Sequence, residues 1–141
     1  MDCDSVEIRF VRSWPIDEII DLYRAGGWWK ERYDSSLIPQ LIAGSFVFAV
    51  VVEKATDKAV GMGRVLSDGV SDAYIQDVVV LPSFRGFGCG KCLVESLVKY
   101  CISRGVTWVG VIAEPGSEAF YMKNGFSLMK SYSPLLYDLE E

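Results

Sequence analysis

A β-branched apolar run that breaks into a glycine-rich turn and re-emerges as an amphipathic helix leaves a chain few ways to fold, and residues 73–103 form such a passage. The run Ala73-Tyr-Ile-Gln-Asp-Val-Val-Val-Leu81 reads as a largely buried strand, ended by Pro82, which has no ladder donor. Gly86, Gly88 and Gly90 follow within Arg85-Gly86-Phe87-Gly88-Cys89-Gly90-Lys91. Glycines there let the backbone adopt φ > 0 and approach a ligand closely. Consecutive N–H groups then converge at a helix start, where the first-turn amides have no intrahelical acceptor. An anion of the pyrophosphate type fits such a place, with Arg85 and Lys91 adding positive charge.

Spacing separates the known phosphate loops. A nucleotide P-loop of the form G-x-x-x-x-G-K-[ST] fails, because the residue five before Gly90 is Arg85 and Lys91 is followed by Cys92. A dinucleotide fingerprint G-x-G-x-x-G fails from Gly86 and from Gly88, whose sixth residues are Lys91 and Leu93. What remains, Arg85-Gly86-Phe87-Gly88-Cys89-Gly90, resembles the R/Q-x-x-G-x-G/A pyrophosphate loop of the GCN5-related N-acetyltransferase (GNAT) family. A glycine-rich turn without a ligand is the plain alternative on the loop alone.

At 141 residues the chain has room for one domain with a real core, expected to span residues 1–141. Its longest apolar run, Phe46 to Val52, falls far short of the roughly 20 residues a membrane helix needs. The start Met1-Asp-Cys-Asp-Ser is acidic where a secretory leader is basic, so a cytoplasmic protein without a membrane partner is expected. A net charge of −5 argues against nucleic acid and suits a cationic substrate. Cys89-x-x-Cys92 lacks a second such pair, and the chain has no histidine, so no metal site is expected. Cys92 and Cys101 read as small apolar residues in a reducing compartment.

The periodicity predicts a strand at 6–12, a helix at 15–24 with Ser13 as a cap, and a short helix at 36–43. Strands at 46–53 and 60–66 form a hairpin through the polar turn 54–58. After the strand at 73–81 comes a helix at 88–103 that buries Leu93, Val94, Leu97, Val98 and Cys101 and is closed by Gly105. A strand at 106–113, a helix at 117–123 stopped by Asn124-Gly125, and strands at 126–130 and 135–139 complete the chain.

A second segment strengthens the resemblance. Glu114-Pro-Gly-Ser-Glu-Ala-Phe-Tyr-Met-Lys-Asn-Gly-Phe126 is similar to the later signature of the same family, an aromatic pair (Phe120-Tyr121) followed by a Gly-Phe step (Gly125-Phe126). The two motifs stand in the family's order, and the order of elements matches the family's fold over essentially the whole chain. The resemblance implies an α/β acyl-CoA N-acyltransferase fold: a mixed central sheet of about seven strands, splayed at its centre, with about four helices.

It also implies acetyl-CoA as cofactor, bound along Val78, Val79 and Val80, by the loop Arg85, Gly86, Phe87, Gly88, Cys89, Gly90 and Lys91, and by Phe120, Tyr121 and Lys123. The Val78 backbone would hold the acetyl carbonyl and serve the oxyanion, and Tyr121 matches the family's tyrosine acid. Without histidine an imidazole base is excluded, which leaves Asp77, Glu114, Tyr74 or deprotonation in bulk. Asp77 is the catalytic candidate among these, and simple strand alternation would place it on the face opposite Tyr74 and Val78.

The implied activity is transfer of acetyl to a primary amine of a small molecule. The alternatives are an amine on a protein or peptide, or an inactive CoA-binding or interaction module of the same fold. For the acceptor the candidates are Trp28, Trp29, Tyr33 and Tyr74. The adjacent tryptophans fit a cation-π or stacking surface, and fit equally a cap on the core or a homodimer contact. Asp68 and Asp72 read as turn residues.

Overall fold

The computed structural model describes residues 3–139. In chain order it contains β1 (Val6–Phe10), α1 (Ile16–Ala25), α2 (Ile38–Gly44), β2 (Val47–Glu53), β3 (Lys58–Ser67), β4 (Asp72–Val80), α3 (Cys89–Ser103), β5 (Trp108–Val111) and α4 (Glu118–Lys123). Short 3-10 turns lead into β1, α2 and the glycine loop. The chain divides into two compact units between Val111 and Ile112.

The first unit is a five-stranded sheet in the order β1-β2-β3-β4-β5. Its first four strands pair antiparallel: β1 meets β2 after the connection that carries α1 and α2, and β2, β3 and β4 follow through short turns, Glu53 facing Lys58 across the expected hairpin. β4 and β5 pair parallel, because α3 carries the chain back across the sheet between them. β2 is covered on both faces: Val50, Val51 and Val52 are all fully buried, as an unbroken apolar run requires. On one face α1 and α2 place Ile19, Leu22, Ile38 and Ile42 against Phe48, Val50, Val52, Met62 and Val79. On the other, α3 buries Leu93, Val94, Leu97 and Cys101. Each such aliphatic side chain contributes roughly 1.5–3 kcal/mol of burial. Gly63 lets α3 lie close, since a Cβ there would come within 3.1 Å of Leu97 and 3.2 Å of Val78.

Three expectations need correction. Ser13 does not cap α1: Pro15 occupies the N-cap with no side-chain bond, and Ser13 lies two residues upstream, beyond reach of the first-turn amides. The helix expected at 36–43 opens as a 3-10 turn capped by Asp34, whose carboxylate accepts from the Ser36 amide at 2.9 Å, and is α-helical only from Ile38. The sheet has five strands rather than about seven. The segments 126–130 and 135–139 carry strand-like sequence yet hold no strand among the described residues. A strand exists only when a neighbour completes its ladder. Here Leu135, Leu136 and Tyr137 remain 82–92% exposed, and Ser131 at φ 67 with Pro134 interrupts the path between the two segments.

In the second unit α4 is held by local bonds. Ser117 Oγ donates to the Glu114 carbonyl at 2.7 Å, Asn124 Nδ2 donates to the Phe120 carbonyl at 2.6 Å, and the Phe126 amide donates to the Tyr121 carbonyl at 3.1 Å.

Candidate active site

β4 is the strand that makes a site. It pairs with β5 only from Asp72↔Trp108 to Ile75↔Val111, so from Gln76 to Val80 it runs on without a β5 neighbour. Within that stretch its register with β3 slips: Gln76 faces Arg64 and Val79 faces Met62, leaving Gly63 alone opposite both Asp77 and Val78. The extra residue is a bulge, and Asp77 within it sits at φ 59, a left-handed conformation that costs a non-glycine residue roughly 1 kcal/mol. The bulge overturns the alternation expected from sequence. Asp77 reaches the α1 face, where Gln76 and, two residues earlier, Tyr74 also point, whereas Val78 turns toward α3.

There Asp77 meets two donors. Tyr23 Oη donates to Asp77 Oδ2 at 2.7 Å, and Arg64 Nε donates to the same oxygen at 2.7 Å. The ion pair is largely enclosed, its side chains 14% and 22% exposed for Arg64 and Asp77. Burial, and next the Asp77 charge, push the Tyr23 phenol well above its ordinary value. In the unfolded chain this phenol ionises near pH 10, while the folded chain keeps the proton, so the native state binds more protons there and stability falls as pH rises. Tyr23→Phe is therefore expected to flatten the decline in unfolding free energy above about pH 10 by up to roughly 1.4 kcal/mol per pH unit, read from urea melts. An unchanged slope would mean that this phenol does not titrate with unfolding.

The loop after β4 behaves as its glycines require. Gly86 and Gly88 both lie at φ 84, and Gly88 is the N-cap of α3, where no side chain caps the helix. The first turn carries no acidic residue, and Lys91 is exposed beside it. The positive end of a 15-residue helix thus faces outward from a loop free of negative charge. Phe87 is 41% exposed, and Cys89 is buried under the turn. Arg85 is partly engaged elsewhere: its Nε donates to the Val80 carbonyl at 2.7 Å, tying the loop to the end of β4.

Of the remaining sequence candidates, Tyr121 is buried, its ring edge-on to Phe120 (5.0 Å) and Phe126 (5.5 Å). Burial, and then the Glu114 charge, raise its pKa, so it holds its proton at neutral pH. Lys123 is exposed at the end of α4. Trp28 and Trp29 are half-buried and pack on the α1-face core, Trp28 edge-on to Tyr23 at 6.2 Å. Tyr33 stands edge-on to Trp29 at 5.6 Å, and Tyr74 edge-on to Trp108 at 5.4 Å. Two residues of this constellation escaped the sequence reading, Tyr23 and Arg64. In the sequence Tyr23 stands at helical spacing from Ile16, Ile19 and Ile20 and is indistinguishable from one more apolar position of an amphipathic helix. Arg64 did leave a signal, a lone charge inside the otherwise apolar strand Ala59 to Leu66.

Comparison with known proteins gives the family to which this fold belongs. The profile of the acetyltransferase (GNAT) family matches residues 10–126, and the chain belongs to this family of N-acetyltransferases. The uncharacterized N-acetyltransferase ycf52 of Pyropia yezoensis is 30% identical over 130 residues, covering 88% of this chain and 74% of that protein. The chloroplastic serotonin N-acetyltransferase 2 of Oryza sativa subsp. japonica is 38% identical over 71 residues, 50% of this chain and 36% of that protein. A GNAT family acetyltransferase of Streptococcus pneumoniae shares the fold with a TM-score of 0.79 at 23% identity, covering 96% of this chain and 99% of that one. Among the described residues no helix is long and apolar enough to cross a membrane.

Proposed function

We propose that the protein transfers the acetyl group of acetyl-CoA directly to a primary amine of a small molecule bound in the same complex. The observation that carries this reading is the path of β4: freed from β5 at Gln76, bulged at Asp77, and continuing through Val80 into the loop whose Gly88 opens α3 uncapped by any side chain. An extended pantetheine arm can add to such a free strand edge as a further strand, with Val78, Val79 and Val80 supplying backbone partners. The loop from Arg85 to Lys91 receives the pyrophosphate on the helix N-terminus.

The residues then divide the chemistry. The Val78 amide donates to the acetyl oxygen, a bond that strengthens as that oxygen gains negative charge. The amine nitrogen forms its bond to the acetyl carbon as the carbon–sulfur bond breaks. Tyr121 gives its proton to the leaving sulfur and regains one from solvent, to which the amine sheds its own. A phenol kept protonated by burial suits the donor role. Trp28, Trp29, Tyr33 and Tyr74 are the aromatic surface offered to the acceptor, the tryptophans backed by the core.

We place the protein in a reducing compartment, the cytoplasm or, by analogy with the chloroplastic rice relative, a plastid, where its cysteines stay reduced. The test of function is acetyl-CoA-dependent thiol release with serotonin, an amino sugar, free amino acids and a lysine-bearing peptide. A small amine is expected to outpace the peptide. Thermal stabilisation by acetyl-CoA without thiol release from any of them would make the protein a binding module instead.

A further inference from the structure

We propose that Tyr23 and Arg64, acting through the Asp77 carboxylate, are positioning residues for the acetyl transfer: they hold β4 in its bulged path and so aim the Val78 amide. The inference rests on the reading of Val78 as the residue that meets the acetyl oxygen. The Val78 N–H lies in the rigid peptide plane that joins it to Asp77, so the Asp77 backbone angles set where that N–H points. Those angles are unusual, at φ 59, and a non-glycine residue keeps such a conformation only where its surroundings over-determine it.

Here two elements far apart in the chain do so. Tyr23 comes from α1, Arg64 comes from β3, and both donate to Oδ2 at 2.7 Å. Tyr23 is 7% exposed in the α1-face core, with the Trp28 ring edge-on to it. The carboxylate is therefore pinned to a rigid body rather than to a mobile surface. The same bulge sends Val78 toward α3 and Val79 toward α1, so releasing Asp77 would let β4 return to regular pairing with β3 and turn the Val78 N–H away from its present direction. In this role Asp77 takes no proton from the amine, and its oxygen is occupied by donors that orient it.

The experiment compares wild type with Asp77→Asn, Asp77→Ala and Tyr23→Phe, using acetyl-CoA and the amine of the panel that turns over fastest. An asparagine tolerates the left-handed conformation, and its carbonyl oxygen accepts both bonds, but it cannot act as a base. Asp77→Asn is thus expected to keep kcat within about fivefold of wild type, while Asp77→Ala loses about 10²-fold in kcat, the scale of a misaimed oxyanion donor. Tyr23→Phe is expected to fall between them, and in Asp77→Ala and Tyr23→Phe the loss in kcat is expected to exceed any rise in the KM for acetyl-CoA, whose pyrophosphate loop is untouched.

In the ligand-free protein, the ¹⁵N–¹H resonance of Val78 is expected to stay in place in Asp77→Asn and to move in Asp77→Ala and Tyr23→Phe. Equal inactivation by Asn and Ala would overturn the proposal and make Asp77 the proton acceptor. An unmoved Val78 resonance in Tyr23→Phe and in folded Asp77→Ala would overturn it as well. If wild type releases no thiol with any amine, the transfer reading fails by itself, and the Val78 resonance still decides whether the clamp sets this amide.

Discussion

Gly88→Asp should abolish the rise in Tm that acetyl-CoA produces in the wild-type protein. A ligand at 100 times its Kd stabilises by about 2.7 kcal/mol, which for a chain of this size is a Tm shift of roughly 9 °C. Gly88 is the N-cap of α3 and lies at φ 84, where a side chain is strained. Aspartate there does two further things. Its carboxylate is a good N-cap acceptor, so it competes for the first-turn amides that would otherwise meet pyrophosphate. It also sets a fixed negative charge at the anion's place. Gly88→Ala adds only a Cβ and should leave a reduced shift. The comparison is read by thermal melts with and without acetyl-CoA, alongside circular dichroism to show that the variant is folded. A folded Gly88→Asp protein with the full wild-type shift would remove this loop from the binding site.

Tyr121→Phe should lower kcat by about 10²-fold, close to 2.7 kcal/mol of transition-state stabilisation, while acetyl-CoA affinity stays near wild type. The ring packs edge-on against Phe120 and Phe126, and phenylalanine preserves both contacts, so the change removes only a hydroxyl. Loss of a proton donor used only as the carbon–sulfur bond breaks should appear in kcat and kcat/KM alike. Full turnover in Tyr121→Phe would assign this tyrosine to packing and leave water as the proton source.

Much of the architecture can be read from short-range features of the chain. The order β-α-α-β-β-β-α-β-α follows from hydrophobic period, and the polar turn between Glu53 and Lys58 is marked by residues with no preference for sheet. The loop between β4 and α3 is legible for the same reason. Gly86 and Gly88 need φ 84, a local property of backbone and Cβ, so their spacing carries information without reference to the rest of the molecule. The aromatic pair Phe120-Tyr121 and the Gly125-Phe126 step are equally local, and their rings meet across a few residues of chain.

The sequence by itself therefore determined the element order through α4 and the positive-φ glycine loop, since each depends on conformational preferences of neighbouring residues, while its two motifs carried the family resemblance. Only the tertiary structure decided how many strands form, because 126–130 and 135–139 have strand-like composition but a ladder needs a partner that composition cannot name. It alone decided the parity of β4. One unpaired residue opposite Gly63 reverses every later side chain, and two-residue periodicity has no term for a bulge. The Asp77 carboxylate found its donors in Tyr23 and Arg64, 54 and 13 residues away, and no local pattern specifies which distant polar groups meet when two faces of a core close together.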